Sequence, residues 1–168
     1  MMNDNNYVEC LVSRKPSVLM AFLKILTIML AVAFFILGMI SPIFLIIFIA
    51  LCVAAYFAIQ NSSIEYEYLY CDKEISIDRI YNKSRRKNAG KFETDKLEIL
   101  APARSYHLDE YKNKQNYKTL DYSSGIKDQQ PDPTYVMYYD GREKLVFEPS
   151  AEFVNAVRNV APRKVFTD

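Results

Sequence analysis

Apolar and polar positions divide this chain into two unlike parts. From Val18 to Ile59 the residues are apolar apart from Lys24, Thr27, Ser41 and the breakers Gly38 and Pro42. A bilayer core of about 30 Å is crossed by roughly 20 helical residues, and the run is about twice that long. The interruption Gly38-Met39-Ile40-Ser41-Pro42 therefore predicts two membrane-spanning helices, at 18–39 and 42–59, joined by a very short turn. Gly38 suits the end of the first helix through a positive φ, and Pro42 suits the first turn of the second. The competing reading is a hairpin buried inside a soluble protein.

Beyond the apolar run the period changes to two. In SIEYEYLY, Ile64, Tyr66, Tyr68 and Tyr70 share one face while Glu65 and Glu67 share the other, the pattern of a half-buried strand. Cys71-Asp72-Lys73 reads as a turn and EISIDRIY as the returning strand, with Ile75 and Ile77 inward. NKSRRKN is the next polar turn, leading to a short segment around Phe92. Leu97–Leu100 and Ser105–Leu108 are further strand candidates, separated by Pro102. Residues 109–133 carry charge, Gly125 and two prolines, which predicts a mobile loop with one strand near Tyr117–Tyr122.

The strongest local signal follows in TYVMYYDGREKLVFEP, where Asp140-Gly141 between two alternating runs marks a hairpin with a type I′ turn. A two-residue loop sets Val136 opposite Leu145 and Thr134 opposite Phe147. Tyr135, Met137 and Tyr139 then share the other face with Arg142, Lys144 and Val146. A helix over 150–161 ends the chain, with Ser150 as N-cap, Glu152 in the first turn and Pro162 as its boundary. Phe153, Val154, Val157 and Val160 form its apolar stripe.

Charge sets the orientation. Arg14, Lys15 and Lys24 precede or begin the first helix, the central turn is uncharged, and Lys73, Arg79, Lys83, Arg85, Arg86 and Lys87 follow the second. Cationic flanks stay on the cytoplasmic side, so both ends are expected there, with residues 1–17 as a cytoplasmic N-terminal segment and 63–168 as a cytoplasmic β domain. The opening residues lack the short apolar core and cleavage site of a secretory signal. From Gln60 onward there are 18 Lys plus Arg against 18 Asp plus Glu, a neutral balance unlike that of a general nucleic-acid binder. Cys10, Cys52 and Cys71 have no disulfide or zinc spacing and read as free thiols.

Two clusters are candidate contact sites. Arg79, Lys83, Arg85, Arg86, Lys87 and Lys91 form a basic run with no acid between its ends. On a tethered domain such a run either meets anionic headgroups, is an ordinary solvated turn, or meets a protein or RNA partner. Eleven of the thirteen tyrosines lie after Gln60, and Tyr135, Met137 and Tyr139 on one hairpin face read as a partner surface or as a half-exposed sheet face. His107 is the only histidine, and a Cys71–His107 nucleophile pair has no spacing to support it. No Walker loop, HExxH, CxxC or GxSxG is present, so no enzymatic activity, cofactor or metal is expected.

Short antiparallel strands followed by one amphipathic helix are the element order of a pleckstrin-homology-like barrel. The fold class is thus α+β: a transmembrane helical hairpin, then a small antiparallel β-barrel or sandwich closed by the C-terminal helix. The segments YVECLVSRK, IEYEYLYCDKEISIDRIYNKSRRK, TYVMYYDGREKLVFEPS and APRKVF together resemble a domain-of-unknown-function family of two-helix membrane proteins from Gram-positive bacteria. The resemblance implies a membrane location and a bacterial pleckstrin-homology-like domain, and it brings no catalytic residues. In such modules basic residues on strand-turn-strand elements are the usual headgroup contacts, which points the same way as the basic run. The expected function is a non-catalytic binding or assembly module for lipid headgroups, another membrane protein or itself. The alternative is an accessory subunit of a transport or secretion complex, packing through its helices at small residues such as Ala31, Ala33, Ala50, Ala54 and Ala55.

Overall fold

The computed structural model describes residues 7–60, 63–112, 117–126 and 129–167. Strand β1 (Tyr7–Ser13) precedes helices α1 (Val18–Gly38) and α2 (Ile43–Gln60). Strands β2 (Ile64–Cys71), β3 (Glu74–Tyr81), β4 (Arg85–Glu93) and β5 (Leu97–Pro102) follow, then a short helix α3 (Asp109–Lys112). Strands β6 (Lys118–Asp121), β7 (Tyr135–Tyr139) and β8 (Glu143–Phe147) precede the last helix, α4 (Ala151–Val160). The chain divides into two compact units, one of Met1–Arg14, Tyr66–Arg79 and Arg86–Asp168, the other of Lys15–Glu65 and Ile80–Arg85.

The second unit is dominated by the helix pair. At about 1.5 Å per residue, α1 with 21 residues and α2 with 18 are each long enough and apolar enough to cross a membrane. The helices pack on one another through Phe34–Phe44 and Phe35–Phe48, with ring centroids 6.1 and 5.3 Å apart. Much of their other apolar surface faces outward: Leu19, Ile36 and Ile46 are all exposed. Gly38 is not the left-handed cap expected of it. It is the last helical residue, and the residue after it, Met39, is right-handed with φ −67°. What Gly38 provides is space, since a Cβ there would lie 2.5 Å from the Leu45 side chain.

The first unit holds two four-stranded sheets, ordered β1-β2-β3-β4 and β5-β7-β8-β6, rather than one closed barrel. β1 belongs to the first sheet, although residues 1–17 read only as an N-terminal segment. Its apolar, half-buried Val8, Cys10 and Val12 alternate, but Leu11 on the outward face blurs the period. The core is aromatic. Tyr68, fully buried, meets Phe147 and Phe153 edge to face at 5.4 and 6.5 Å, and Tyr70 meets Phe153 at 6.0 Å. Ile99, Ala101, Leu108, Val136 and Tyr138 form another buried cluster.

Several expectations shift on contact with the fold. The polar turn NKSRRKN shrinks to Asn82–Ser84, and Arg85 already begins β4. Ser105–Leu108 is a 3₁₀ turn rather than a strand, because the Ser105 hydroxyl accepts from the His107 N–H at 3.3 Å and caps it. The predicted loop 109–133 contains α3 and β6; its residues 113–116 and 127–128 lie outside those described. β6 pairs with β8 in parallel, so the second sheet is not wholly antiparallel. α4 begins after Ser150, whose hydroxyl accepts from the Phe153 N–H at 3.2 Å, and it buries Phe153, Val154 and Val157 but leaves Val160 exposed.

The β7–β8 hairpin turns at Asp140-Gly141, both with positive φ as a type I′ turn requires. Its register is nevertheless one residue off the expected one: Tyr135 pairs with Phe147, Met137 with Leu145 and Tyr139 with Glu143. Arg142 drops out of the pairing, with its N–H donating to the Tyr139 carbonyl at 3.1 Å and its own carbonyl accepting from the Lys118 N–H of β6 at 2.7 Å. A one-residue slip changes which side chains share a face.

Candidate functional site

The six residues of the basic run have different fates. In the first unit the Arg79 guanidinium lies over the Tyr66 ring, 5.4 Å from its centroid. Arg86 pairs with Glu67 at 2.8 Å and Asp78 at 3.9 Å, and Lys91 pairs with Glu74 at 2.8 Å. Those three are committed to groups within the sheet. Among the described residues no side-chain hydrogen bond, ion pair or ring contact engages Lys83, Arg85 or Lys87, all of which are exposed. Half of the six cations are therefore already engaged.

Glu65 and Glu67 are not the solvent-facing acids that strand alternation predicts; both are buried. Glu67 is only 6% exposed, and burial pushes its carboxyl above the usual range. A hydrogen bond with the Glu9 carboxyl acts in the same direction, whereas Arg86 opposes it. A sheet with β1 beside β2 brings Glu9 to Glu67, which no local sequence window could reveal. Asn88 adds bonds to the Ser76 hydroxyl at 3.1 Å and the Asp78 carboxylate at 2.8 Å. This polar face binds itself together.

The expected partner surface is not presented as a surface. Met137 is 1% exposed, and Tyr135 and Tyr139 are half-buried. The Tyr139 ring packs on Phe92 at 5.2 Å, and its hydroxyl accepts from the Glu93 N–H at 3.2 Å. The shifted register places Met137 opposite the fully buried Leu145, so it belongs to the core. Much of the tyrosine excess has the same explanation, since five of the eleven tyrosines after Gln60, Tyr66, Tyr68, Tyr70, Tyr122 and Tyr138, are buried. The Tyr68 hydroxyl donates to the Tyr122 carbonyl at 2.6 Å and accepts from the Glu148 N–H at 3.4 Å.

Sequence reasoning missed Glu98, which sits at a bulge in β5. Its carboxylate accepts from the Gly141 N–H and, at 2.9 Å, from the Tyr117 hydroxyl, tying the β7–β8 turn to the start of β6. Burial, reinforced by that carboxylate, pushes the Tyr117 hydroxyl up to about 12. His107 stacks on Phe166, with centroids 3.7 Å apart, and meets Tyr106 at a tilt, 4.0 Å away. Among the described residues no group of three or more His, Cys, Asp or Glu converges as metal ligands.

In the second unit the turn between β3 and β4 is anchored at the exit of α2. The Asn82 N–H donates to the Ser63 carbonyl at 2.8 Å, and Ser84 N–H closes the turn on the Tyr81 carbonyl at 3.1 Å. Asn82 and Lys83 both have positive φ, 46° and 57°. The helix pair itself carries an apolar groove of about 540 Å³ lined by residues such as Ile28, Val32, Phe35, Cys52 and Tyr56.

A family model described as "Bacterial PH-like domain (DUF6106)" matches residues 4–167. No curated protein and no solved structure matches the chain.

Proposed function

The chain belongs to this bacterial PH-like domain family of unknown function, and on that premise we propose that it is an integral membrane protein with two spanning helices and a cytoplasmic PH-like module. The observation that carries the reading is the outward apolar surface of α1 and α2, where Leu19, Ile36 and Ile46 have no protein cover among the described residues. In water that surface is costly at about 25 cal/mol per Å²; in a bilayer it is solvated. Both termini face the cytoplasm in this reading because the charges flank the helix pair and the turn between them has none. The module acts by binding or assembly and not by catalysis. Its convergent polar groups, such as Glu67 with Arg86 and Glu98 with Tyr117, are spent on bonds to one another.

A reporter fused after Asp168 tests the topology. A cytoplasmic reporter is expected to be active and an exported one silent, with the protein resisting alkaline extraction from membranes; activity of the exported reporter refutes the hairpin topology. A second reading, an accessory subunit that packs laterally, draws support from the groove on the helix pair. Ala33, Ala50 and Ala54 remain exposed, whereas Ala31 and Ala55 are buried. In-membrane crosslinking from Val32 or Cys52 distinguishes the two, since only the second yields a discrete heteromeric adduct.

A further inference from the structure

Resting on that membrane reading, we propose that Lys15, Lys83 and Arg85 form a cationic collar that binds the headgroup phosphates of anionic phospholipid in the bilayer crossed by α1 and α2. All three belong to the same compact unit as the helices. Lys15 stands three positions before α1 begins at Val18. The beginning of α1 and the end of α2 lie at one end of the pair, since Ile28 of α1 lines the same groove as Tyr56 and Ile59 of α2.

Lys83 and Arg85 are far from the helices in sequence but are held near them by one bond. Ser63 follows the last residue of α2, Gln60, by three positions, a reach of at most about 10 Å. The bond from the Asn82 N–H to the Ser63 carbonyl fixes the β3–β4 turn at that point. A headgroup layer adds about 5–7 Å on each side of the hydrocarbon core, and long cationic side chains reach further still. The positive φ of Asn82 and Lys83 keeps the turn tight, so the two cations project from a defined element.

Charge supports the same partner. This unit carries Lys15, Lys24, Lys83 and Arg85, against Glu65 as its acid, and Glu65 is buried. Lys15, Lys83 and Arg85 are exposed and engaged by no other described group. The rings of Tyr56 and Phe57, which meet edge to face at 5.8 Å near the end of α2, include an aromatic of the type that settles at the headgroup level. The cations that spacing alone adds to the cluster, Arg86 and Lys91, are neutralised by Glu67 and Glu74.

The chain contains no tryptophan, so Ser84→Trp places a single indole in the exposed turn. The full-length protein is reconstituted in nanodiscs of phosphatidylcholine alone or with phosphatidylglycerol, each containing a headgroup spin-labelled quencher. Quenching is expected to be stronger in the anionic discs, and the difference to vanish at high salt. It is also expected to vanish when Lys15→Gln, Lys83→Asn and Arg85→Gln are combined, asparagine being chosen because it tolerates the left-handed φ. Soluble glycerol phosphate added to the phosphatidylcholine discs should change nothing, and a response there would overturn the assignment to the bilayer. Equal quenching in both discs, or a difference that survives the triple substitution, overturns the collar while leaving the membrane reading intact. Failure of the unmutated chain to enter discs takes down both.

Discussion

Replacing Tyr68 with phenylalanine removes one oxygen from the centre of the aromatic core. The side chain is fully buried, and its hydroxyl links the Tyr122 carbonyl, at 2.6 Å, to the Glu148 N–H, at 3.4 Å. The ring survives the substitution, so its contacts with Phe147 and Phe153 persist and the new cavity is very small. The cost comes from the stranded partners. A buried polar group left unsatisfied costs about 1–3 kcal/mol, and the long bond from Glu148 contributes the smaller share. For a domain of about 100 residues, 1 kcal/mol displaces Tm by about 4–8 °C, so a fall between about 4 and 24 °C is expected. Near-ultraviolet circular dichroism of the full chain in detergent reads this unfolding through the tyrosines. Tyr106→Phe, at an exposed ring, is the control and should stay within about 0.5 kcal/mol of the unmutated protein. If Tyr68→Phe melts together with that control, the claim that its hydroxyl ties two segments of the core is wrong.

Glu98→Ala strips the carboxylate from the Gly141 N–H and the Tyr117 hydroxyl, costing about 1–3 kcal/mol. A spectrophotometric titration should show one tyrosine falling from about 12 toward the ordinary range. Glu67, with its carboxyl held above the ordinary value, contributes stability that is fully present at low pH, where it is protonated, and lost as pH rises through the raised pKa. Glu67→Gln should therefore flatten the fall in stability above about pH 4.5, measured by melts across pH; an unchanged profile would sink the assignment. Gly90→Ala places a Cβ 2.6 Å from the Phe92 ring, which is wedged against Tyr139. Overpacking of this kind costs about 1–3 kcal/mol, and the substitution should be read by the same melt.

Periodicity carried much of the architecture. The apolar run, the alternation in β2 and β3, Asp140-Gly141 and the Ser150 cap each act over a few neighbouring residues, so a local window contains the whole cause. The candidate sites were less legible, because each depends on which strand lies beside which. Only the four-stranded order beginning with β1 sets Glu9 against Glu67 and lets Arg86 close on it, pairing a buried acid with an exposed cation. The hairpin is likewise joined by β6, whose Lys118 N–H donates to the Arg142 carbonyl, a long-range bond that no turn sequence contains, and Met137 lies in the core opposite Leu145. By itself, then, the sequence determined that there are two spanning-length helices, a β-rich second half and a bacterial PH-like family. The tertiary structure alone decided which charges remain to meet a partner, since neutralisation requires an opposite charge within a few ångströms and that distance is set by strand order.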